Sequence, residues 1–264
     1  MEVLQGEAQS VISGTLEEIE TSFGVKILLA VESGSRAWDF ASSDSDYDVR
    51  FIYARPASDY LRLDQMRDVI ELPIQSKEGF VLDANGWDAK KALRLLHASN
   101  PVLFEWFSSP IVYRTSDKTG EFASLLEGYF SPQKATHHYL SMARRTYKAY
   151  FSKQEVPLKK YFYVLRPVFA AQYVADTLKA PPMRFFDLVQ TQCPKPLVPA
   201  VTELLERKRH QSELGVAPRI ASIDRYIEEA LPAIEKTAPT LPVAAAKDDW
   251  QSINGAFLKI IGMS

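Results

Sequence analysis

The stretch Lys-Ile-Leu-Leu-Ala-Val-Glu-Ser-Gly-Ser-Arg-Ala-Trp-Asp-Phe-Ala-Ser-Ser-Asp-Ser-Asp-Tyr-Asp-Val-Arg-Phe-Ile-Tyr runs from Lys26 to Tyr53 and organises the chain. It opens as an apolar run, Ile27 to Val31, which reads as a buried strand. It breaks into small and polar residues around Gly34 and Ser35, then returns ten residues later as an alternating strand from Asp46 to about Tyr53. Side chains of a strand point to opposite faces with a period of two, so Asp46, Asp48 and Arg50 share one face and Tyr47, Val49 and Phe51 the other. The apolar face calls for a core.

The polar face carries two carboxylates one residue apart, which repel each other unless a cation or a proton intervenes. Water and Arg50 satisfy the pair on one reading. On the other, Mg2+ is the cation, since it prefers carboxylate oxygens together with water and substrate phosphates. The Gly-Ser turn favours the second. A turn of this kind leaves backbone N–H groups free, lets a phosphate approach closely, and adds the Ser35 hydroxyl as a donor.

A strand, a Gly-Ser turn, a ten-residue gap and Asp-x-Asp on the next strand resemble the signature of the DNA polymerase beta nucleotidyltransferase superfamily. The resemblance narrows to a family of predicted nucleotidyltransferases in bacteria and phages, some of them associated with RNA ligases and proposed to act in RNA repair. It is carried by Glu32-Ser33-Gly34-Ser35-Arg36-Ala37-Trp38 and by Ser45-Asp46-Tyr47-Asp48-Val49-Arg50-Phe51-Ile52-Tyr53. Asn85-Gly86-Trp87-Asp88, Ser99-Asn100-Pro101 and the segment Lys159 to Pro167 extend it over most of the chain. One departure is Asp39, which stands where the family usually has glycine.

The chain has 264 residues, enough for one large or two modest domains. With 31 basic and 33 acidic residues its formal charge is −2, which excludes a global basic field for a long nucleic acid and leaves room only for a local groove. A single cysteine, Cys193, excludes an internal disulfide. With neither a signal-peptide pattern nor a run long enough to span a bilayer, the expected compartment is the cytosol. There is no Walker loop and no Cys/His cluster of the zinc type.

In chain order, residues 3 to 22 are expected as an amphipathic helix stopped by Gly24. The first strand follows at 25 to 31, and a short helix begins at Arg36, its N-terminus facing the phosphate position. Residues 57 to 66 are a connection with about one helical turn. Strands are expected over Asp68 to Leu72 and Phe80 to Asp83, with Gln75 to Glu78 as a hairpin loop. Asn85 reads as the N-cap of a helix from Gly86 to about His97, with Asp88 completing a box-like pair. Pro101 opens another helix, and a last strand covers Ile111 to Tyr113. Later helices are expected at 118–130, 132–151, 157–179, 197–213, 219–236 and 246–261. Prolines at 181, 182, 194, 196 and 199 punctuate the connections. The basic run Arg207-Lys208-Arg209-His210 reads as a solvated helix face.

The fold expected is α+β: a small mixed-sheet nucleotidyltransferase domain over residues 1–116, then a helical substrate-binding domain over 117–264 that closes a cleft. The resemblance implies transfer of a nucleoside monophosphate from an NTP to an acceptor hydroxyl, with an RNA 3′ end as one acceptor and a protein or small molecule as others. Asp46 and Asp48 would hold two Mg2+ ions with a third carboxylate from a later strand. Asp83 is the candidate, ahead of Glu71 and Asp88, although Asp83 also reads as a turn residue. Gly34 and Ser35 would cradle the β- and γ-phosphates, and Arg36 or Arg50 would neutralise developing charge. On the helical side, Arg144, Arg145, Tyr147 and Lys148 lie on one expected helix and Lys159, Lys160, Tyr163 and Arg166 on the next. Lys160 and Tyr163 are candidates for phosphate and base, against the plainer reading of a solvated basic face. A non-catalytic nucleotide-binding or sensor protein on the same scaffold is the alternative class.

Overall fold

The computed structural model describes residues 2–42, 45–77, 79–210 and 216–263, which form two compact units. The first comprises residues up to Ala37, Asp46–Tyr129 and Ala246 onward; the second comprises Trp38–Ser45 and Phe130–Ala245. The division differs from a cut at residue 116 in three places. The first unit continues to Tyr129 and takes the C-terminal segment, and eight residues of the β1–β2 connection belong to the helical unit.

The first unit begins with α1 (Glu2–Phe23), whose Ile12, Leu16 and Ile19 are buried against Val25, Ile27 and the sheet. Next come β1 (Lys26–Ser33), a four-residue α2 (Gly34–Ala37), β2 (Tyr47–Ala54), α3 (Ala57–Tyr60), β3 (Val69–Glu71), β4 (Gln75–Lys77) and β5 (Phe80–Asp88). After these follow α4 (Ala89–His97), α5 (Pro101–Phe107), β6 (Val112–Thr115), α6 (Thr119–Ala123) and α7 (Leu126–Tyr129). The sheet runs in the order β3-β5-β2-β1-β6, with β4 on β5. The β2/β5 pair is parallel and the others antiparallel, so the sheet is mixed, as expected.

Strand β5 departs furthest from the sequence pattern. A strand of four residues was expected, followed by a turn and a helix from Gly86; the strand instead runs on to Asp88. Residues that look like turn formers lie inside it because β2 supplies one side of the ladder and β3 and β4 the other. Gly86 is there for space: a Cβ would fall 2.1 Å from Cε2 of Phe51. Asn85 is therefore a strand residue, and the N-cap of α4 is Asp88, whose carboxylate accepts the Lys90 N–H at 2.8 Å. Gln75 to Lys77 form β4 where the hairpin loop was expected, and Glu78 lies outside the described residues. The single helix expected over 118–130 is two short ones, α6 and α7.

The second unit is built on α8 (Pro132–Tyr150) and, after the short strand β7 (Glu155–Pro157), α9 (Leu158–Thr177). Ala135, Tyr139 and Ala143 recur every four residues on α8 and are buried in one core with the α9 residues Phe162, Leu165 and Phe169. This core also takes α10 (Phe185–Gln192), which the proline-rich stretch had hidden, α11 (Val198–His210) and α12 (Ala221–Thr237). Strand β8 (Val216–Pro218) pairs with β7. The chain ends with α13 (Trp250–Ile260), which belongs to the first unit.

The β1–β2 connection is anchored in this helical core. Phe40 is buried and stacks on Phe162 with ring centroids 4.8 Å apart, and Trp38 accepts at its carbonyl the N–H of Phe185 at 2.9 Å. Lys208 is not on a solvated face: it is buried, and its Nζ donates to Ser42 Oγ at 2.9 Å. Ser42 Oγ in turn lies 3.1 Å from Ser45 Oγ. Asp39 adopts φ 67°, the left-handed conformation that glycine reaches without steric cost. This conformation would suit the glycine usual at this position in the family that the sequence resembles. Asp39→Gly is expected to stabilise the protein by about 0.5 kcal/mol in urea unfolding. The relief of about 1–2 kcal/mol for a left-handed L-residue is partly offset by the greater freedom of glycine in the unfolded chain.

Candidate active site

Strand β1 ends where Gly34 turns the chain, and Gly34 takes φ 62°. Opposite the turn lies the start of β2, with Ser33 in register with Asp48. Parallel pairing on the other side of β2 sets Asp48 directly beside Asp83. The two carboxylates are thus neighbours across the middle of the sheet, at the end where the Gly34 turn sits. The space is tight. A Cβ on Gly34 would stand 2.0 Å from Asp48 Oδ2, so only glycine lets the turn and the carboxylate meet.

Arg50, two residues along β2, lies over the pair. Its Nη2 donates to Asp48 Oδ1 at 3.1 Å and to Asp83 Oδ2 at 2.7 Å, and its Nη1 donates to the carbonyls of Asp83 and Val49. One guanidinium therefore already bridges both carboxylates, so the place between them suits a positive charge. Arg36 leaves the turn for a different partner. Its Nε donates to the Asp46 carbonyl at 3.1 Å and its guanidinium lies 3.8 Å over the Tyr47 ring, fastening the turn to the start of β2.

The candidate residues divide accordingly. Gly34, Asp48, Asp83 and Arg50 are brought together, with Ser35 and Arg36 on the same turn. The Asp46 side chain is exposed. Among the described residues, no three His, Cys, Asp or Glu side chains gather closely enough to hold a metal ion, so Asp46, Asp48 and Asp83 do not form a ready-made cage. The other two carboxylates have separate duties. Glu71 is exposed and pairs with Arg67. Asp88 is buried, caps α4 and accepts the Tyr60 hydroxyl at 3.0 Å; burial raises its pKa.

On the helical unit, the Lys160 Nζ lies 4.4 Å over the Tyr150 ring and 5.1 Å over the Tyr163 ring, and Tyr163 meets Trp38 edge-on. The expected face of Lys159, Tyr163 and Arg166 is incomplete, because Arg166 is buried, with its guanidinium 4.4 Å over the Trp38 ring. Arg144 is engaged in a two-point ion pair with Glu235, and Tyr147 donates to Glu228.

Sequence reading missed Glu32. It is fully buried, its Oε1 accepts the Asp48 N–H at 2.8 Å, and its Oε2 accepts the Tyr113 hydroxyl. Burial pushes its carboxyl up to about 7, against the lowering effect of the hydrogen bonds from Tyr113 and the Asp48 amide. The available signal was an acidic residue continuing the apolar run Ile27–Val31; only the fold sets it in register with the core residue Val49.

The profile of the RNA repair pathway DNA polymerase beta family matches residues 8–259. The chain belongs to this family. It is 46% identical over 248 residues to the uncharacterized protein YcgL of Bacillus subtilis (strain 168), covering 93% of this chain and 94% of that protein. A solved nucleotidyltransferase-like protein from Exiguobacterium sibiricum 255-15 aligns with 96% of this chain and 80% of its own, at 11% identity and a TM-score of 0.32, too slight a likeness to bear on the fold. No helix among the described residues is long and apolar enough to cross a membrane.

Proposed function

We propose that the protein is a metal-dependent nucleotidyltransferase, working in the cytosol, that moves a nucleoside monophosphate from an NTP to an acceptor hydroxyl, the 3′ end of an RNA under repair. The observation that carries this reading is the Gly34 turn set against Asp48, with Asp83 beside Asp48. In the reaction the acceptor oxygen forms a bond to the α-phosphorus, the bond from that phosphorus to the bridging oxygen breaks, and pyrophosphate leaves. Mg2+, two ions in this reading, would lower the pKa of the attacking hydroxyl and offset charge on the leaving group. Asp48 and Asp83 would hold it, with Asp46 two residues before Asp48 as a further carboxylate, and water and substrate phosphates would complete the shell that Mg2+ prefers. Gly34 gives the β- and γ-phosphates close access to backbone N–H groups, and Ser35 adds a hydroxyl donor. Arg36 and Arg50 supply positive charge for the transition state. On the helical unit, Lys160 and Tyr163 offer a cation and a ring of the kind that meets a phosphate and a base.

A binding-only protein on the same scaffold is the second reading, and the Arg50 bridge favours it, since it neutralises both carboxylates without a metal. Incubating the purified protein with Mg2+ and each α-32P-labelled NTP, with and without pooled small RNA, separates the two. Label in RNA is the expected result. Label in the protein band would redirect the proposal to protein nucleotidylation. No label, with nucleotide still binding in calorimetry, would leave the binding-only reading.

A further inference from the structure

Glu32 has no place in the proposed chemistry, yet it is among the least accessible charged residues of the described chain. Burying a carboxylate carries a large desolvation cost unless hydrogen bonds repay it, so its partners show what holds it there. Four bonds fix it. Its N–H donates to the Ile111 carbonyl at 3.0 Å, and its carbonyl accepts the Ser109 hydroxyl at 2.7 Å. Its two carboxylate oxygens accept the Tyr113 hydroxyl and the Asp48 N–H. Three of these partners come from the segment leading into and forming β6, and the fourth is the backbone of the carboxylate residue at the centre of the site. Glu32 is in register with Val49, a core residue, so its side chain lies on the face of the sheet opposite Asp48 and Arg50. It is therefore placed to hold Asp48 from beneath through the main chain, not to touch a ligand above.

We infer that Glu32, steadied by Tyr113, is a positioning residue: it fixes the backbone of Asp48 at the point where β1 turns away at Gly34, and so sets the Asp48 carboxylate against the turn. The inference rests on the proposed role of Asp48 for its effect on turnover, but the hydrogen bond itself can be tested without any activity.

The test compares Glu32→Leu, which removes the acceptor at similar bulk, with Glu32→Gln, which keeps an oxygen for the Asp48 N–H, and with Tyr113→Phe. Two quantities are read: hydrogen exchange of the Asp48 amide, and kcat and KM for the NTP. Expected is faster exchange at Asp48 in Glu32→Leu, with kcat down about 10–100-fold and KM within about twofold, as for loss of other outer partners of a ligating carboxylate. Glu32→Gln is expected to keep the protection of the amide and turnover within about threefold, and Tyr113→Phe to fall between. Unchanged Asp48 protection in Glu32→Leu overturns the inference, as does equal damage in Glu32→Gln, which would make the charge the active property. Should Glu32→Leu fail to fold, the Gln and Phe variants decide alone: the inference requires a protected amide in the first and a less protected one in the second. If the unmodified protein transfers no nucleotide, the exchange data still decide the hydrogen bond, and only the proposed function falls.

Discussion

Replacing Asp46 and Asp48 together by asparagine is expected to reduce nucleotide transfer by at least about a thousandfold while leaving the fold intact. The two halves of this outcome have separate physical grounds. Activity falls because asparagine keeps the shape of the side chain but removes the negative charge that a cation needs. Stability holds because Arg50 keeps its strongest local contacts: Asp83 Oδ2 at 2.7 Å and the carbonyls of Asp83 and Val49. Asparagine also retains an oxygen towards Arg50, and Asp46 is exposed, so unfolding should move by no more than about 1 kcal/mol. The single substitutions sharpen the assignment. Asp83→Asn should lose turnover as Asp48→Asn does, because the two share one guanidinium and adjacent register positions. Glu71→Gln should leave turnover unchanged, since its carboxylate pairs with Arg67 in solvent. Asp88→Asn should act on stability, through the cap of α4 and the Tyr60 bond. Steady-state transfer of labelled nucleotide beside urea unfolding checks the set, and full turnover in the double variant would sink the assignment.

Much of this site was legible in the sequence because it depends on short-range geometry. Period-two alternation put Asp48 and Arg50 on one face, and a glycine after an apolar run marked the turn. Long-range pairing was harder to read. Asp83 could be nominated but not placed, because its neighbour is set by the parallel register of β5 on β2, and β5 carries turn formers that local propensity reads as loop. Gly86 reads as punctuation until Phe51 is seen to fill the space where its side chain would be. Helical spacing puts Lys208 on a solvated face and Arg166 on a face open to a ligand, because spacing alone does not say which residues a core will draw in. Each is buried against the β1–β2 connection, 166 residues away for Lys208 and Ser42. Glu32 was hidden for a similar reason: its acceptor role towards Asp48 exists only once two strands meet.

Gly34→Ala is expected to have the second large effect, and its size can be divided by a mutant cycle. Two costs add. The residue sits at φ 62°, where an L side chain is strained by about 1–2 kcal/mol. The new methyl would also lie 2.0 Å from Asp48 Oδ2 and 2.8 Å from its Cγ, so the carboxylate must move by more than an ångström or the turn must open, an overpacking cost of about 1–3 kcal/mol. Together they predict a loss of about 3 kcal/mol in urea unfolding. Displacing Asp48 also draws Oδ1 away from Arg50, now 3.1 Å distant, and a misplacement of that size is expected to lower turnover about a hundredfold. In an Asp48→Ala background the obstructing carboxylate is absent and only the position-48 Cβ, 3.3 Å away, remains, so the same Gly34→Ala change should cost mainly the backbone strain, about 1–2 kcal/mol. The difference between the two backgrounds measures the contact between turn and carboxylate. An equal cost in both would mean that Asp48 does not lie against Gly34, and the geometric basis of the proposed phosphate cradle would be lost with it.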